Sequence, residues 1–459
     1  MQTLSNDQLA ALRHGAINAH QKGDIKAAQD AYCRYLSARP KDAGIWTNLG
    51  ALYRSTERHD QALRAQRRAY AVQPEMAGVR NNLANILNDV GFHKESIALR
   101  HEILEQTPND TQQKALIGKS LRSLGRYSDA ITHLEAALGM HPDDAEIKLQ
   151  LGFAQLADRQ FEAGLQNYEA RWDTAEAKPI SIPYPKWDGG DLTGKKVLVV
   201  PEQGFGDAVL MMRFLPQLRE IAGRVHVMAE KPMARLFETA EGIDWIGKVV
   251  SKDEKFDVWM TVMDLPRVGL KTVGDIPPPT RLNTPTDAKH RAAQIVAPYK
   301  DVFKVGIVWS GSVTFKGNSF RSFGHQEFLR LVDLDDVQLF SLYKGPALEA
   351  FQADGSAAFI VDAASTDRDF ADCAAMMQDM DLVITSDTAT AHIAGSLGVP
   401  VWTLLHWDPF WFFGHTGDTM PWYPSMRLFR QTAPHDWGSV FDQVQPELIK
   451  CIKDWKKER

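Results

Sequence analysis

Cysteine is scarce: Cys33, Cys373 and Cys451 stand far apart and form no metal-ligand spacing. That excludes a disulfide framework and a zinc-binding cysteine cluster, and it predicts reduced thiols in a cytoplasmic protein. No run of about 18 apolar residues occurs, so no membrane-spanning helix is expected. The opening residues MQTLSNDQLAALRHGAINAHQKGD carry no basic segment followed by an apolar one, so no secretory leader is read there. An excess of positive charge is missing too. Net charge is −6 and the pI is near 6.2, which gives no footprint for nucleic acid or an anionic membrane. The 14 histidines are scattered, with no HExxH and no clustered pair, so no metal is expected.

What is present is a soluble globular composition, 44% hydrophobic and 24% charged. A chain of 459 residues exceeds one core and suggests about three domains. The first third is periodic. Pro40, Pro74, Pro108 and Pro142 follow one another at intervals of 34 residues, the tetratricopeptide period. The second unit has Trp46, Leu49, Gly50, Tyr53, Ala62, Ala69 and Pro74 at signature positions, and a fifth unit runs to about Trp172. Small residues at Gly50, Ala62 and Ala69 are expected to let paired helices approach, with a proline ending each second helix. Such an array binds extended protein segments on its concave face, or serves only to stabilise or dimerise the protein. Asn48, Asn81, Asn82 and Asn85 are candidate groove residues, since an amide side chain both donates to and accepts from a peptide. Exposed polar residues without a partner are the other reading.

Residues 173–194 carry three prolines and three glycines and read as a linker. Beyond them apolar strands alternate with helices. KKVLVV, RVHVMA, WIGKVV and FDVWMTV form a first set, with helices expected over 207–221 and 231–240. After an interruption over 275–298 the alternation restarts with FKVGIVWSGS, VQLFSLYKG, AAFIVDAA, MDLVITSDTATAH and VPVWTLLHW. This predicts two successive Rossmann-like domains, 195–298 and 299–459, after a repeat array over 1–172. A last helix, roughly 437–455, is expected to pack back across their junction.

PEQGFGD, between the first strand and a helix, has the layout of a phosphate loop. Gly204 and Gly206 would need a third glycine where Val209 stands, and no Gly-Lys-Ser/Thr is present. Asp207 at the helix start would repel a phosphate. It reads either as an N-cap or as a carboxylate exposed to a substrate, kept ionised by the helix N-terminus. SDTATAH follows another strand. Ser386, Asp387 and Thr388 are good caps, and the amides of Thr388, Ala389 and Thr390 could hold a diphosphate. His392 is a donor contact or an ordinary packed histidine. In the loop WSGSVTFKGNSFRSF, Ser310, Gly311, Ser312, Lys316 and Arg321 could meet phosphate or sugar, or be surface charge. Trp407, Phe410, Trp411, Phe412, Trp422 and Tyr423 read foremost as a loop packed on its domain, and otherwise as a ligand wall. Asp379-Met-Asp381 mimics a metal-binding DxD, but Asp381 begins a buried strand, in the wrong register for a cleft.

EQGFGDAVLMMRFLP, VGIVWSGS, SLYKGP, DLVITSDTATAHIAGSLGVPVW and WYPSMRLFRQ, in this order over the C-terminal two-thirds, resemble the GT-B glycosyltransferases, in particular bacterial heptosyltransferase-like domains. Repeats followed by such a domain are similar to O-GlcNAc transferase and to tetratricopeptide-containing flagellin glycosyltransferases. Heptosyltransferases lack the repeats and act on lipopolysaccharide core, so the array here points to a protein acceptor. The resemblance implies Asp207 as general base, and Ser386, Asp387, Thr388, Ala389, Thr390 and His392 around the donor diphosphate. It also implies Lys344 as the cation on the leaving phosphate. The expected function is a cytoplasmic, metal-independent transfer of a sugar from a nucleotide-sugar to a protein held by the repeats. Flagellin is the acceptor by analogy, and an oligomer is compatible. A non-catalytic repeat scaffold with a degenerate GT-B half is the alternative, as is an enzyme acting on lipopolysaccharide or another glycan.

Overall fold

The computed structural model describes residues 5–248, 250, 253–315 and 317–459. They fall into two compact units, Met1–Ala154 and Gln155–Arg459.

The first unit is a solenoid of antiparallel helix pairs: α1 (Asn6–Gln21) with α2 (Ile25–Ala38), α3 (Ala43–Ser55) with α4 (His59–Val72), α5 (Ala77–Asp89) with α6 (His93–Gln106), and α7 (Thr111–Ser123) with α8 (Tyr127–Met140). A ninth helix, α9 (Ala145–Ala157), runs over the boundary and α10 (Phe161–Tyr168) belongs to the second unit. Each even-numbered helix of the four pairs stops two residues before its proline, because the residue preceding a proline is pushed out of the helical region. The first helices start in the same register. Asp42 and Asp110 cap α3 and α7 by accepting from the amides of Ile45 and Gln113, and Asp144 accepts from Ile147. Met76 holds the equivalent place before α5 and offers no cap.

Small residues set the helix spacing, as expected. A Cβ on Gly118 would lie 2.4 Å from Leu134 Cγ, and Ala62 and Ala69 are fully buried. The asparagines are not free to meet a ligand. Asn81 accepts from Gln113 at 3.0 Å, Asn82 donates to Thr47 at 3.1 Å and Asn85 accepts from Arg100 at 2.8 Å. Asn48 bonds Tyr32. Arg100 is fully buried, and that burial pushes its guanidinium down to about 10. Asn85 and Gln113 solvate it internally.

The second unit holds two sheets in which every pairing is parallel. The first contains β1 (Lys196–Val200), β2 (Arg224–Met228), β3 (Trp245–Gly247) and β4 (Val258–Thr261), in the order β3-β2-β1-β4. The second contains β5 (Phe303–Val308), β6 (Val337–Ser341), β7 (Ile360–Asp362), β8 (Leu382–Ser386), β9 (Val401–Leu405) and β10 (Met426–Arg430), in the order β10-β9-β8-β5-β6-β7. Strands such as β4, β8 and β9 are buried along their whole length, the mark of parallel strands covered on both faces. In each sheet the order reverses next to the first strand, between β1 and β4 and between β5 and β8. Crevices for ligands open at the carboxyl ends of such points.

Four details differ from the sequence reading. The helix expected over 231–240 is one turn, Lys231–Ala234, followed by turns, since Pro232 suits only a first turn. The strand read in WIGKVV shortens to β3, with Val249 outside the described residues. MRLFR adds an edge strand, β10. The last helix, Trp437–Lys457, packs against β10 and the turn His325–Phe328 of the second sheet's own half rather than across the junction. Within residues 173–194, the backbone at Pro185 and Trp187 bonds that of Trp259, so part of this stretch borders β4.

Candidate functional site

One side of the first crevice is taken up by an ion-pair cluster. Arg171, just after α10, lies at the ends of β1 and β4. It donates to Glu202 at 2.9 and 3.0 Å, to Asp264 at 2.7 Å and to Glu169 at 2.7 Å. Thr261, the last residue of β4, completes the cluster through its hydroxyl bond to Glu202. Burial opposes ionisation of Asp264, but the adjoining guanidinium holds that carboxyl below its ordinary range. A phosphate would meet three carboxylates here, so PEQGFGD is no phosphate cradle.

The loop after β1 instead presents Asp207. It is not the N-cap: the helix starts at Phe205 after Gly204, and Asp207, its third residue, reaches back so that Oδ2 accepts from the backbone N–H of Gly204 at 3.0 Å. Ionisation at the helix start is harder than expected. Burial pushes Asp207 up to about 6, outweighing the Gly204 amide; Asp387 adds to the rise and Arg321 opposes it. The carboxyl is therefore mostly ionised at pH 7 yet poised to hold a proton.

The second crevice gathers Arg321, Asp387 and Thr388 around Gly311. A Cβ there would lie 2.9 Å from Asn318 Oδ1, 3.0 Å from Thr388 Cγ2 and 3.1 Å from an Arg321 Nη2, so only glycine lets these groups meet. Arg321 stacks over the Phe315 ring at 4.4 Å and makes no ion pair among the described residues. Burial raises Asp387, with Arg321 the opposing charge. Ser386 is fully buried at the end of β8. Its hydroxyl, Arg321 Nε and His392 Nδ1 are buried polar atoms without a protein partner. Orphans of this kind are rare in a finished core and mark where a ligand's polar atoms belong.

The helix that follows, Ala389–Ser396, begins at Thr388, which makes no capping bond. Ser386, Asp387 and Thr388 were expected as caps. The Thr388 hydroxyl turns instead to Thr390 at 2.6 Å, and Thr390 to Thr385 at 2.7 Å. The first amides of this helix thus have no side-chain cap, and Gly206 lies close by: a Cβ there would lie 3.5 Å from the Ala389 nitrogen and 2.9 Å from His392 Cδ2. His392 is enclosed by Phe412, Phe413 and Tyr423, and burial pushes it down to about 3, so it is neutral and packed. Both helix starts therefore meet at Gly206 and Ala389.

Other candidates lie elsewhere. Lys344, after β6, is exposed and donates to the Asp367 carbonyl; it does not join Arg321. The Ser310 hydroxyl accepts from Asn318 at 3.1 Å and from Ser322 at 3.0 Å, bracing its own loop. Ser312 bonds Thr314, and Lys316 lies outside the described residues. Trp411, Phe412, Trp422 and Tyr423 are buried against one another, a packed loop rather than a wall. Asp381 pairs with Lys304 at 2.8 Å at the far end of β8, and no cluster of metal-ligating side chains occurs among the described residues. Sequence reasoning missed Arg171, Asn318 and Tyr168. Only the repeat of acidic partners near strand ends could have hinted at the first.

The chain is a tetratricopeptide-repeat solenoid followed by an α/β region built on parallel sheets. The tetratricopeptide repeat models match residues 16–108 and 121–170. Solenoids of this kind present concave surfaces for protein contacts. Protein FlbA of Caulobacter vibrioides is 27% identical over 314 residues, 62% of this chain and 52% of that protein. The chain thus spans about half the length of that relative. Among solved structures, MamA of form MSR-1 is 20% identical with a TM-score of 0.32, covering 35% of this chain and 93% of its own. Another MamA crystal structure is 14% identical with a TM-score of 0.33, covering 38% and 98%. Among the described residues no helix is long and apolar enough to cross a membrane.

Proposed function

We propose that the chain is a glycosyltransferase of GT-B type that moves a sugar from a nucleotide-sugar to a hydroxyl of a protein engaged by the repeats. The observation that carries this reading is Asp207 within electrostatic reach of Arg321 and Asp387, with the orphaned Ser386 hydroxyl one residue before Asp387. Asp207 takes the proton of the acceptor hydroxyl, whose oxygen bonds the anomeric carbon. The bond from that carbon to the donor phosphate breaks, and the phosphate leaves with the electron pair. Arg321 is the cation that stabilises this leaving charge. Lys344 reaches it only by releasing the Asp367 carbonyl. Metal ions have no part in the step.

A non-catalytic scaffold is the second reading, favoured by the close approach of Gly206 to Ala389 and His392, which leaves little space at the start of that helix. The test is thermal stabilisation by UDP-, GDP-, ADP- and CMP-sugars, since a ligand of the folded state raises the melting point. Intact mass of co-expressed flagellin or another candidate acceptor reads transfer. One donor that stabilises the protein and adds its sugar mass supports the enzyme; no response across the panel supports the scaffold.

A further inference from the structure

Gln203 occupies the left-handed backbone region, φ +62°, which a non-glycine residue keeps only where its surroundings enforce it. Its side-chain amide donates to the hydroxyl of Tyr168, a buried residue of α10. One residue earlier, Glu202 is held by two nitrogens of Arg171. One residue later, Gly204 donates its N–H to Asp207. Three consecutive loop residues are thus gripped, two by the end of α10 and the third by the carboxylate itself. Tyr168 lies within the last matched repeat, residues 121–170. We infer that Tyr168 and Arg171 are positioning residues: the last repeat helix sets the Glu202–Gly204 backbone and, through it, the place of the Asp207 carboxylate. This rests on the role proposed for Asp207.

The physical ground is a balance of similar terms. A left-handed non-glycine residue costs about as much as one net hydrogen bond contributes. Removing the bond from Gln203 to Tyr168 therefore suffices to let Gln203 return to negative φ. That rotation swings the Gly204 N–H away from Asp207 and opens the carboxyl to water. The Arg171 pairs resist the same motion from the other side, and their ring contacts with Tyr168 and Trp172 tie the two grips together. A displacement of α10 is then felt directly at Asp207, with no intervening element.

Tyr168→Phe in the full chain tests this, because it removes one hydroxyl and keeps the packing. Amide hydrogen exchange of residues 203–207 is expected to quicken at least 10-fold. The transfer turnover is expected to fall with donor affinity unchanged, and the acid limb of its pH profile to shift as Asp207 exchanges the Gly204 amide for water. Gln203→Ala gives the same result if the first variant does not fold, since alanine cannot reach Tyr168 and bears the full cost of the left-handed region. Unchanged exchange in a folded variant overturns the inference. Faster exchange with undiminished turnover leaves the clamp standing and overturns the assignment of Asp207 to the reaction.

Discussion

The repeat unit and the α/β unit solve the problem of buried polar groups in opposite ways. In the repeats, partners are close in sequence: Gln66 bonds Thr47 across 19 residues, and Arg100 bonds Gln113 across 13. Such bonds stay within one repeat or reach the next, the longest of those described above joining Asn82 to Thr47 across 35 residues. In the α/β unit, Arg171 reaches Asp264 across 93 residues and Arg213 reaches the Trp422 carbonyl across 209. Polar atoms left over there, such as those of Ser386 and Arg321, sit at strand ends. Locally closed networks make a stable surface; long-range ones make a site and leave groups for a ligand.

The largest expected effect breaks the site alone. Asp207→Asn should lower turnover on the order of 100- to 10,000-fold, the usual worth of a general base, with donor affinity retained in calorimetry. Arg171→Gln should destabilise the α/β unit by about 3–5 kcal/mol, since it strands Glu202 and Asp264 without their cation. Denaturant titration with hydrogen exchange should locate that loss in residues 155–459 and spare the repeats.

Two glycines sharpen the contrast. Gly118→Ala and Gly206→Ala each force a neighbour to move and should cost about 1–3 kcal/mol. The first clashes with Leu134 of its own repeat and should leave donor-induced stabilisation intact. The second clashes with His392, on the helix after SDT, and should change it. Equal effects of both on donor response would show that the site is not localised where the two helix starts meet.

Smaller effects follow from charge and capping. The Asp207 carboxyl titrates higher when folded, about 6, than its ordinary 3.8. Its contribution is therefore fully present below about pH 4 and lost as pH rises through 6. Asp207→Asn lacks this loss and keeps an acceptor for Gly204, so it should be more stable than the native chain at pH 7.5, on the order of 1–2 kcal/mol. The two melting curves should coincide at pH 4. Asp110→Ala should cost about 1 kcal/mol in the repeat unit at neutral pH, with no change in transfer.

Much of the repeat unit was legible in advance because its signal is local and recurs. Prolines return every 34 residues, with small residues and, Met76 apart, capping aspartates at fixed places beside them. The strands of the α/β unit were legible as apolar runs for the same reason, though one-turn helices and the short edge strand β10 were not. At the site, Asp207 and SDTATAH could be found from glycine and capping patterns at strand ends. Which cation faces them could not. Lys344 and Arg321 look alike as lone basic residues in loops, and only the fold puts one on Asp367 and the other between two carboxylates.

The sequence by itself therefore determined the element types, the repeat period and the two parallel sheets, because helix pairs and buried strands are specified by neighbours along the chain. The tertiary structure alone decided that Arg171 gathers carboxylates at the ends of β1 and β4, that Gly206 lies beside Ala389, and that Asp207 is hard to ionise. Each of these depends on charge, space and burial created by residues far apart in the chain, and no local pattern encodes them.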